Sequence, residues 1–232
     1  SRWGRRHPFM YAAAFPAAIA YYFVWNPPSG LEGDALFPYI VTIAVLVRTL
    51  VTVYEIPSSS LVAEMSDDYD ERTSMLSYRY FFGWTGGTLM GAFATIFILV
   101  PTATIGNGMF NVEGHGQVGA IAAMVIFMAM MVSSMGTHKM IPDLKAPPPP
   151  RQMTIGLIYR EVFETLASRS FLALFLAALF GAVAAGVSTT LSFSFSTSFW
   201  EFTTEQIGLI SLSVLVSLVL PLFIAPVFSR KF

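Results

Sequence analysis

The sequence predicts an all-α protein that crosses a membrane several times, and three observations support this fold class. Hydrophobic residues make up 55% of the 232 residues and charged residues only 12%, whereas about a quarter of the residues are charged in an average globular chain. So few charges could not cover the surface of a water-soluble domain of this size. Several apolar stretches also have the length of about 20 residues that a helix needs to cross a bilayer.

The apolar stretches define six predicted spanning helices. Five contain no acidic or basic residue: Pro8–Trp25, Tyr80–Val100, Val118–Ser134, Phe171–Phe199 and Ile207–Phe228. A sixth, Leu36–Ser60, is equally apolar apart from Arg48 and Glu55. A β-barrel would instead show alternating segments of about ten residues. The one alternating run, residues 192–196, lies inside a span, and we expect it to be helical because a lone strand would leave backbone groups unpaired in lipid.

The loops between these helices separate into loops that contain Lys or Arg, called basic loops here, and loops that contain neither. The basic loops hold Arg2, Arg5 and Arg6, then Arg72, then Lys139, Lys145, Arg151, Arg160 and Arg169, and finally Arg230 and Lys231. The alternate loops contain no Lys or Arg, and their charged residues are all acidic: Glu32, Asp34, Glu113, Glu201 and Glu205. All basic loops fall on one side, which the positive-inside rule assigns to the cytoplasm. We therefore expect a multi-pass protein of the cytoplasmic (inner) membrane with both ends of the chain in the cytoplasm.

The composition also excludes several classes of function. A net charge of −1 provides no basic field for nucleic acid, and the absence of cysteine removes disulfides and thiolate metal sites. The three histidines, His7, His115 and His138, fall in predicted loops and lack the spacing of metal ligands. The sequence contains neither a glycine-rich phosphate loop nor a Ser-His-Asp set. It therefore predicts no enzyme and no resident cofactor or metal.

One long loop, residues 137–169, divides the chain into the helices of residues 1–136 and those of residues 170–232. Its four consecutive prolines, Pro147–Pro150, predict a stiff polyproline II linker, with a proline-rich recognition peptide as the alternative. Residues 154–168 place their apolar side chains on one helical face. This pattern predicts a short helix that lies along the membrane surface.

The second span carries a stripe of polar residues. Four of them share one helical face, at positions i, i+4, i+7 and i+11: Arg48, Thr52, Glu55 and Ser59. Each charge costs about 2.5–3.5 kcal/mol at the centre of a spanning helix on insertion scales. The stripe must therefore face a cavity or another helix rather than lipid. We interpret it as one wall of a pathway for a substrate and an ion, with a structural ion pair between helices as the alternative.

Pro57 strengthens the case for an ion site near Glu55. A proline inside a helix frees the carbonyl four residues earlier, here that of Val53. A free carbonyl beside a carboxylate and the Thr52 hydroxyl suits a small hard cation such as Na⁺. The same carboxylate could instead bind a proton, because a low-dielectric site disfavours its charged form. A simple kink in the helix is the third interpretation.

Arg79, at the start of the third span, is a candidate for binding a substrate. Its guanidinium can bind sugar hydroxyls or a carboxylate, and a side chain that reaches back to the lipid headgroups is the alternative. Farther along the same span, Gly83, Gly87 and Gly91 form a ridge of small residues. We interpret this ridge as a surface for close helix packing.

The loop before Arg79 is strongly acidic, with the sequence Asp67-Asp68-Tyr69-Asp70-Glu71-Arg72. It could suggest a divalent-metal site, but it lacks the spacing of a calcium-binding loop. We interpret it as a solvated cytoplasmic loop that can pair with Arg5 and Arg6.

Short blocks spread along the chain resemble one family of membrane proteins. They are Gly4-Arg5-Arg6-His7-Pro8-Phe9, Tyr54-Glu55-Ile56-Pro57, Leu61-Val62-Ala63-Glu64-Met65, Asp68-Tyr69-Asp70-Glu71-Arg72-Thr73, Ser77-Tyr78-Arg79 with Gly86-Gly87, and Phe199-Trp200-Glu201-Phe202-Thr203 with Gln206-Ile207-Gly208. Together they resemble the cation-coupled sugar symporters of the glycoside–pentoside–hexuronide family, within the major facilitator superfamily. The similarity extends over nearly the whole chain.

The resemblance implies a twelve-helix major facilitator fold, of which this chain supplies helices three to eight. Because the chain begins with Ser1 and stops shortly after a span, we interpret it as the middle of a longer polypeptide. The proline-bearing loop is then the linker between two six-helix halves. The resemblance also implies that Glu55 binds substrate beside a cation site, that Thr52 contributes to that site, and that Arg79 contacts the sugar. Ser59 departs from the family's melibiose permease, which has a sugar-stacking tryptophan there.

The resulting hypothesis is a monomeric secondary symporter that carries a sugar or glycoside by alternating access, coupled to Na⁺ or H⁺. Glu55 and Thr52 would bind the cation, and the substrate would be bound by Glu55, Arg79, Arg48 and Ser59. A cytoplasmic gate would include Arg5, Arg6, Asp68, Asp70, Glu71 and Arg72. The alternative is a related carrier for a lysolipid or another amphiphile. A membrane-embedded enzyme is disfavoured because no catalytic pair is present.

Overall fold

The structure, a computed structural model, describes residues 3–103, 105–144 and 154–215. Within these ranges the regular structure is helical and no strand occurs, which confirms the predicted all-α class. The helices in chain order are α1 (His7–Trp25), α2 (Leu36–Met65), α3 (Tyr69–Phe93), α4 (Val112–His138), α5 (Ile155–Ala167), α6 (Arg169–Ser194) and α7 (Thr204–Leu215). A turn of π-helix continues α3 over Ala94–Ile98, and another continues α6 over Phe195–Phe199.

Among the described residues, five helical segments are long and apolar enough to cross a membrane: His7–Trp25, Gly33–Met65, Tyr69–Ile98, Val112–His138 and Arg169–Phe199. Each corresponds to one predicted span, and the alternating run 192–196 is helical as expected. The sixth predicted span, Ile207–Phe228, begins as a helix slightly earlier, at Thr204. The part of this span after Leu215 lies outside the described residues.

Helix α3 begins inside the acidic loop, well before the span predicted from Tyr80. The Asp68 carboxylate accepts hydrogen bonds from the backbone N–H groups of Asp70 at 2.7 Å and Glu71 at 3.0 Å. These bonds satisfy two of the donors that a helix N-terminus leaves free. The acidic side chains of the first turn also favour the positive end of the helix dipole. Residues 69–72 are therefore helical, which corrects their interpretation as part of a loop.

The first of two compact units contains residues 3–144 and 203–215. Within it, α1 packs against both α2 and α4. The packed face of α1 is rich in buried alanines, which are Ala13, Ala14, Ala17, Ala18 and Ala20. Two of them, Ala14 and Ala17, form a small core with Met130 of α4. Small side chains let helix backbones approach closely, which is a common basis of helix association in membranes.

Trp25, at the end of α1, packs directly on Gly119 of α4. A Cβ atom added at Gly119 would overlap the Cβ atom of Trp25. The Trp25 ring also stacks on His115, with ring centroids 5.5 Å apart and an interplanar angle of 9°. Asn26 donates a hydrogen bond to the carbonyl of Gly116 at 3.1 Å. A residue without a side chain is therefore needed at position 119 because of this close approach.

We expect Gly119→Ala to lower the melting temperature of the purified protein in detergent. Overpacking a close contact costs about 1–3 kcal/mol, which exceeds the roughly 1 kcal/mol that alanine gains over glycine in a helix. Gly136→Ala is the matched control in the same helix, because a Cβ atom added there meets no described residue within 4 Å. The control should leave the melting temperature unchanged or raise it. An unchanged melting temperature for Gly119→Ala would contradict this packing.

The second unit contains residues 154–202. The helix expected over residues 154–168 is present as α5, which confirms its secondary structure. Its exposed apolar side chains, Ile155, Tyr159 and Phe163, recur every fourth residue and form one stripe. Its placement along the membrane surface stays a prediction, as do the domain boundaries. The four prolines of the predicted linker lie outside the described residues.

Candidate functional site

The first unit contains a cavity of about 630 Å³ lined by α2, α3 and α7. Its volume lies within the range of about 300–1,000 Å³ that is typical of small-molecule sites. Helix α2 contributes Glu55, and α7 contributes Ser211 and Val214. Helix α3 supplies the remaining lining residues, which are Arg79, Tyr80, Gly83, Trp84, Gly87, Thr88 and Gly91. One carboxylate and one guanidinium therefore face the same small cavity.

Helix α3 presents a single face to this cavity, because its lining residues recur at helical spacing. The three glycines of the predicted packing ridge belong to this face. A Cβ atom added at Gly83, Gly87 or Gly91 would meet nothing within 4 Å. Among the described residues, therefore, no other helix packs against this ridge, and its role in helix packing stays a prediction. The glycines instead leave this wall of the cavity open.

The structure brings together two of the predicted site residues, Glu55 and Arg79. The Arg79 Nη1 atom donates to the Ser58 hydroxyl at 3.3 Å, which links α3 to α2 one turn after Glu55. Within the described part of the chain, Glu55 and Arg79 form no ion pair with each other or with another residue. The carboxylate and the guanidinium are therefore both available to a ligand.

The other residues of the polar stripe do not line this cavity. Thr52 lies one turn before Glu55 and is half-buried. Its hydroxyl donates to the Arg48 carbonyl at 2.7 Å, so the oxygen keeps lone pairs that can accept a bond or bind a cation. The side chains of Arg48 and Ser59 are exposed on the same helix. Of the two residues expected to bind the cation, Thr52 and Glu55 are neighbours on α2, but only Glu55 lines the cavity.

Arg5 and Arg6 share one carboxylate, that of Glu64 near the end of α2. The N–O distances are 2.7 Å for Arg5 and 2.6 Å for Arg6. The side chains of Glu64 and Arg6 are only 15% and 18% exposed, so water screens this pair less than it screens most surface pairs. The two arginines tie the start of α1 to the end of α2, rather than to the acidic loop as expected. Arg72 instead donates to two backbone carbonyls of its own loop, at 2.8 and 3.4 Å.

Glu64 illustrates a contact that the sequence alone does not indicate. It lies within one of the resembling blocks, yet its partners are 58 and 59 residues away in the chain. No local pattern marks such a pair. Only the crossing of α1 and α2 brings these side chains together.

A second contact missed at the sequence level joins His7 and His138, whose ring centroids are 5.5 Å apart where α1 begins and α4 ends. His7 is fully buried, and its Nε2 atom lies 3.1 Å from the Thr137 hydroxyl. Because that hydroxyl donates to the Ser133 carbonyl, it accepts from His7, which places a proton on Nε2. The Tyr11 hydroxyl lies 3.3 Å from His138 Nδ1.

The three histidines were expected in loops but lie within α1 and α4, because both helices extend past their apolar stretches.

Helix α7 begins against the segment that follows α3. Thr204 is 2% exposed and donates its hydroxyl to the Asn107 side-chain oxygen at 3.2 Å. One turn later, a Cβ atom added at Gly208 would lie 2.8 Å from the Thr95 hydroxyl. The helix then continues to Ser211, which lines the cavity. This contact, which we call the α7 contact (Asn107, Thr204, Thr95 and Gly208), therefore borders the cavity along α7.

A family model and two known proteins are among those similar to this chain. A family model described as MFS/sugar transport protein matches residues 1–232. An uncharacterised symporter of Synechocystis sp. is 28% identical over 140 residues, which cover 58% of this chain and 25% of that protein. The sodium-dependent lysophosphatidylcholine symporter 1 of Mus musculus is 34% identical over 82 residues, or 34% of this chain and 15% of that protein. The aligned segments thus span a quarter or less of each relative. No solved structure matches the chain.

Proposed function

This chain belongs to the MFS/sugar transport protein family, and on that basis we propose that it forms part of a cation-coupled symporter that works by alternating access. The family consists of transporters, which confirms that the protein is not an enzyme. The match also confirms the resemblance drawn from the sequence blocks and the major facilitator fold class. We further propose that the protein is a monomer in the cytoplasmic membrane. The loop charges support placing both ends of this chain in the cytoplasm.

The cavity that holds Glu55 and Arg79 is the observation that carries this proposal. A carboxylate in a spanning helix is costly unless a partner neutralises it. Glu55 has no fixed cationic partner among the described residues, so a mobile Na⁺ or H⁺ can fill that role. Thr52 on the same face and the carbonyl that Pro57 frees supply further oxygen ligands. Cation binding near Glu55 would then favour occupancy of the adjacent substrate site.

A sugar or glycoside is the first candidate substrate. Glu55 can accept hydrogen bonds from sugar hydroxyls, and Arg79 can donate to them with its fixed guanidinium geometry. Arg48 and Ser59 are proposed as further contacts on α2. The family description, which includes sugar transport, supports this candidate.

A lysolipid or another amphiphile is the second candidate, and two observations favour it. Apart from Glu55 and Arg79, most residues that line the cavity are apolar, aromatic or glycine. A relative from mouse is described as a sodium-dependent lysophosphatidylcholine symporter. A charged headgroup at Glu55 and Arg79 with an apolar chain along α3 would suit this surface.

Alternating access requires contacts on each side of the cavity to form and break in turn. The α7 contact is one such boundary, because α7 would belong to the second half of a twelve-helix fold. On the cytoplasmic side we propose a gate that includes Arg5, Arg6, Asp68, Asp70, Glu71 and Arg72. The ion pairs of Arg5 and Arg6 with Glu64 would hold these two arginines in place at the start of α1.

Competition between sugars and lysolipids tests the substrate class. Full-length protein in proteoliposomes would take up a labelled glycoside or labelled lysophosphatidylcholine under an inward Na⁺ or H⁺ gradient. A sugar carrier predicts uptake of the glycoside that excess methyl glycosides suppress and that lysophosphatidylcholine leaves unchanged. The opposite pattern supports the second candidate. Absence of gradient-driven uptake for both compounds would contradict both.

A further inference from the structure

Trp84 extends into the cavity from the lining face of α3. It follows Arg79 by five residues, or about 7.5 Å along the helix axis, and it lines the same cavity as Glu55. Gly83 and Gly87, its neighbours on this face, have no side chains that could cover the indole. The residue is 64% exposed. Its ring therefore offers an open aromatic surface inside the cavity.

The depth of Trp84 distinguishes it from other tryptophans of the chain. Tryptophan in membrane proteins concentrates at the interfaces, where the ring meets lipid and the N–H group meets water. Trp25 ends α1 and stacks on His115, and Trp200 follows the last turn of α6 and stacks on Phe202. Trp84 instead lies inside the span of α3.

The indole N–H of Trp84 has no hydrogen-bond partner among the residues that the structure describes. A donor left unpaired in hydrocarbon costs free energy. Facing a cavity filled with water or ligand removes that cost, because the N–H group then has an acceptor. The position of Trp84 therefore favours contact with the transported molecule over packing against lipid.

Building on the proposed transport function, we propose that Trp84 contacts the substrate and supplies an aromatic surface on which it stacks. The face of an indole ring carries the negative part of its quadrupole. It attracts polarised C–H groups, which the face of a pyranose ring and the methyl groups of a quaternary ammonium both present. Glu55 and Arg79 bind the polar groups of the same molecule.

We expect Trp84→Leu to weaken substrate binding by on the order of ten-fold, and Trp84→Phe to stay within about three-fold of the natural protein. Phenylalanine keeps an aromatic face, whereas leucine keeps only apolar bulk. Titration calorimetry on purified full-length protein, without any ion gradient, measures the dissociation constants. One arm uses methyl pyranosides, and the other uses lysophosphatidylcholine below its micellar concentration. In uptake assays the KM should rise by the same factor while the maximal rate is unchanged.

Trp200→Leu is the matched control, because Trp200 is exposed at the end of α6 and does not line the cavity. Its affinity should equal that of the natural protein. Unchanged affinity of Trp84→Leu, for a ligand that the natural protein binds, would overturn this inference and leave the proposed function standing. Equal losses in Trp84→Leu and Trp84→Phe, with lowered melting temperatures, would indicate a packing role and also overturn it. Failure of the natural protein to bind either ligand would overturn both proposals.

Discussion

Cation-dependent uptake is expected to be abolished by Glu55→Gln, with the protein still inserted in the membrane. The amide keeps the shape of the side chain but removes the charge that a Na⁺ ion or a proton would neutralise. Because no fixed cation pairs with Glu55 in the described structure, its charge is expected to act on the transported ion. We expect gradient-driven uptake to fall by about two orders of magnitude or more, as for the loss of a desolvated charge contact of about 3 kcal/mol.

Glu113→Gln is the control for this substitution. Glu113 lies in the first turn of α4, is exposed, and does not line the cavity. It should leave uptake and its dependence on the cation unchanged. Membrane content of both variants, measured by immunoblot, separates a transport defect from poor insertion. Coupled uptake at the natural rate in Glu55→Gln would contradict the proposed cation site.

A covalent link across the α7 contact is expected to stop transport reversibly. The side-chain oxygens of Asn107 and Thr204 are 3.2 Å apart, so cysteines at both positions lie within reach of each other or of a short thiol-to-thiol reagent. This chain has no cysteine of its own, which leaves the introduced pair as its only reactive thiols. Alternating access needs the helices around the cavity to separate, so uptake should fall to background after cross-linking.

The two single variants, Asn107→Cys and Thr204→Cys, are the controls for the double variant. Each should respond to the oxidant as the natural protein does, because neither can form the link. For the oxidised pair, a reducing agent should restore uptake to the level before oxidation. If uptake continues unchanged while gel analysis shows complete cross-linking, the α7 contact does not open during transport.

The length of the apolar stretches predicts most of the fold, but it does not predict where the helices end. The predicted spans correspond to helices because crossing hydrocarbon requires about 20 apolar residues in a row. Helix ends in the aqueous layers follow capping and charge instead. Asp68 caps α3, which begins at Tyr69, eleven residues before the predicted start of the span at Tyr80. Helix α4 continues to His138, past the predicted end at Ser134.

The candidate site was predictable in part. Glu55 and Arg79 were marked by their charge within or beside apolar spans, and the structure places both at one cavity. The exposed glycine face and the pairing of Arg6 with Glu64 were not predictable, because each depends on which helices cross and where. The α7 contact joins residues 97 apart in the chain, so no local pattern could indicate it.

Concentrative uptake tests the central claim most directly. Full-length protein is reconstituted into proteoliposomes, and an inward gradient of Na⁺ or H⁺ is imposed with equal substrate on both sides. A coupled symporter predicts that the substrate accumulates inside above its external concentration and that an ionophore for the coupling ion discharges this accumulation. If the internal and external concentrations stay equal under both gradients, the cation does not drive transport and the account given for Glu55 is contradicted.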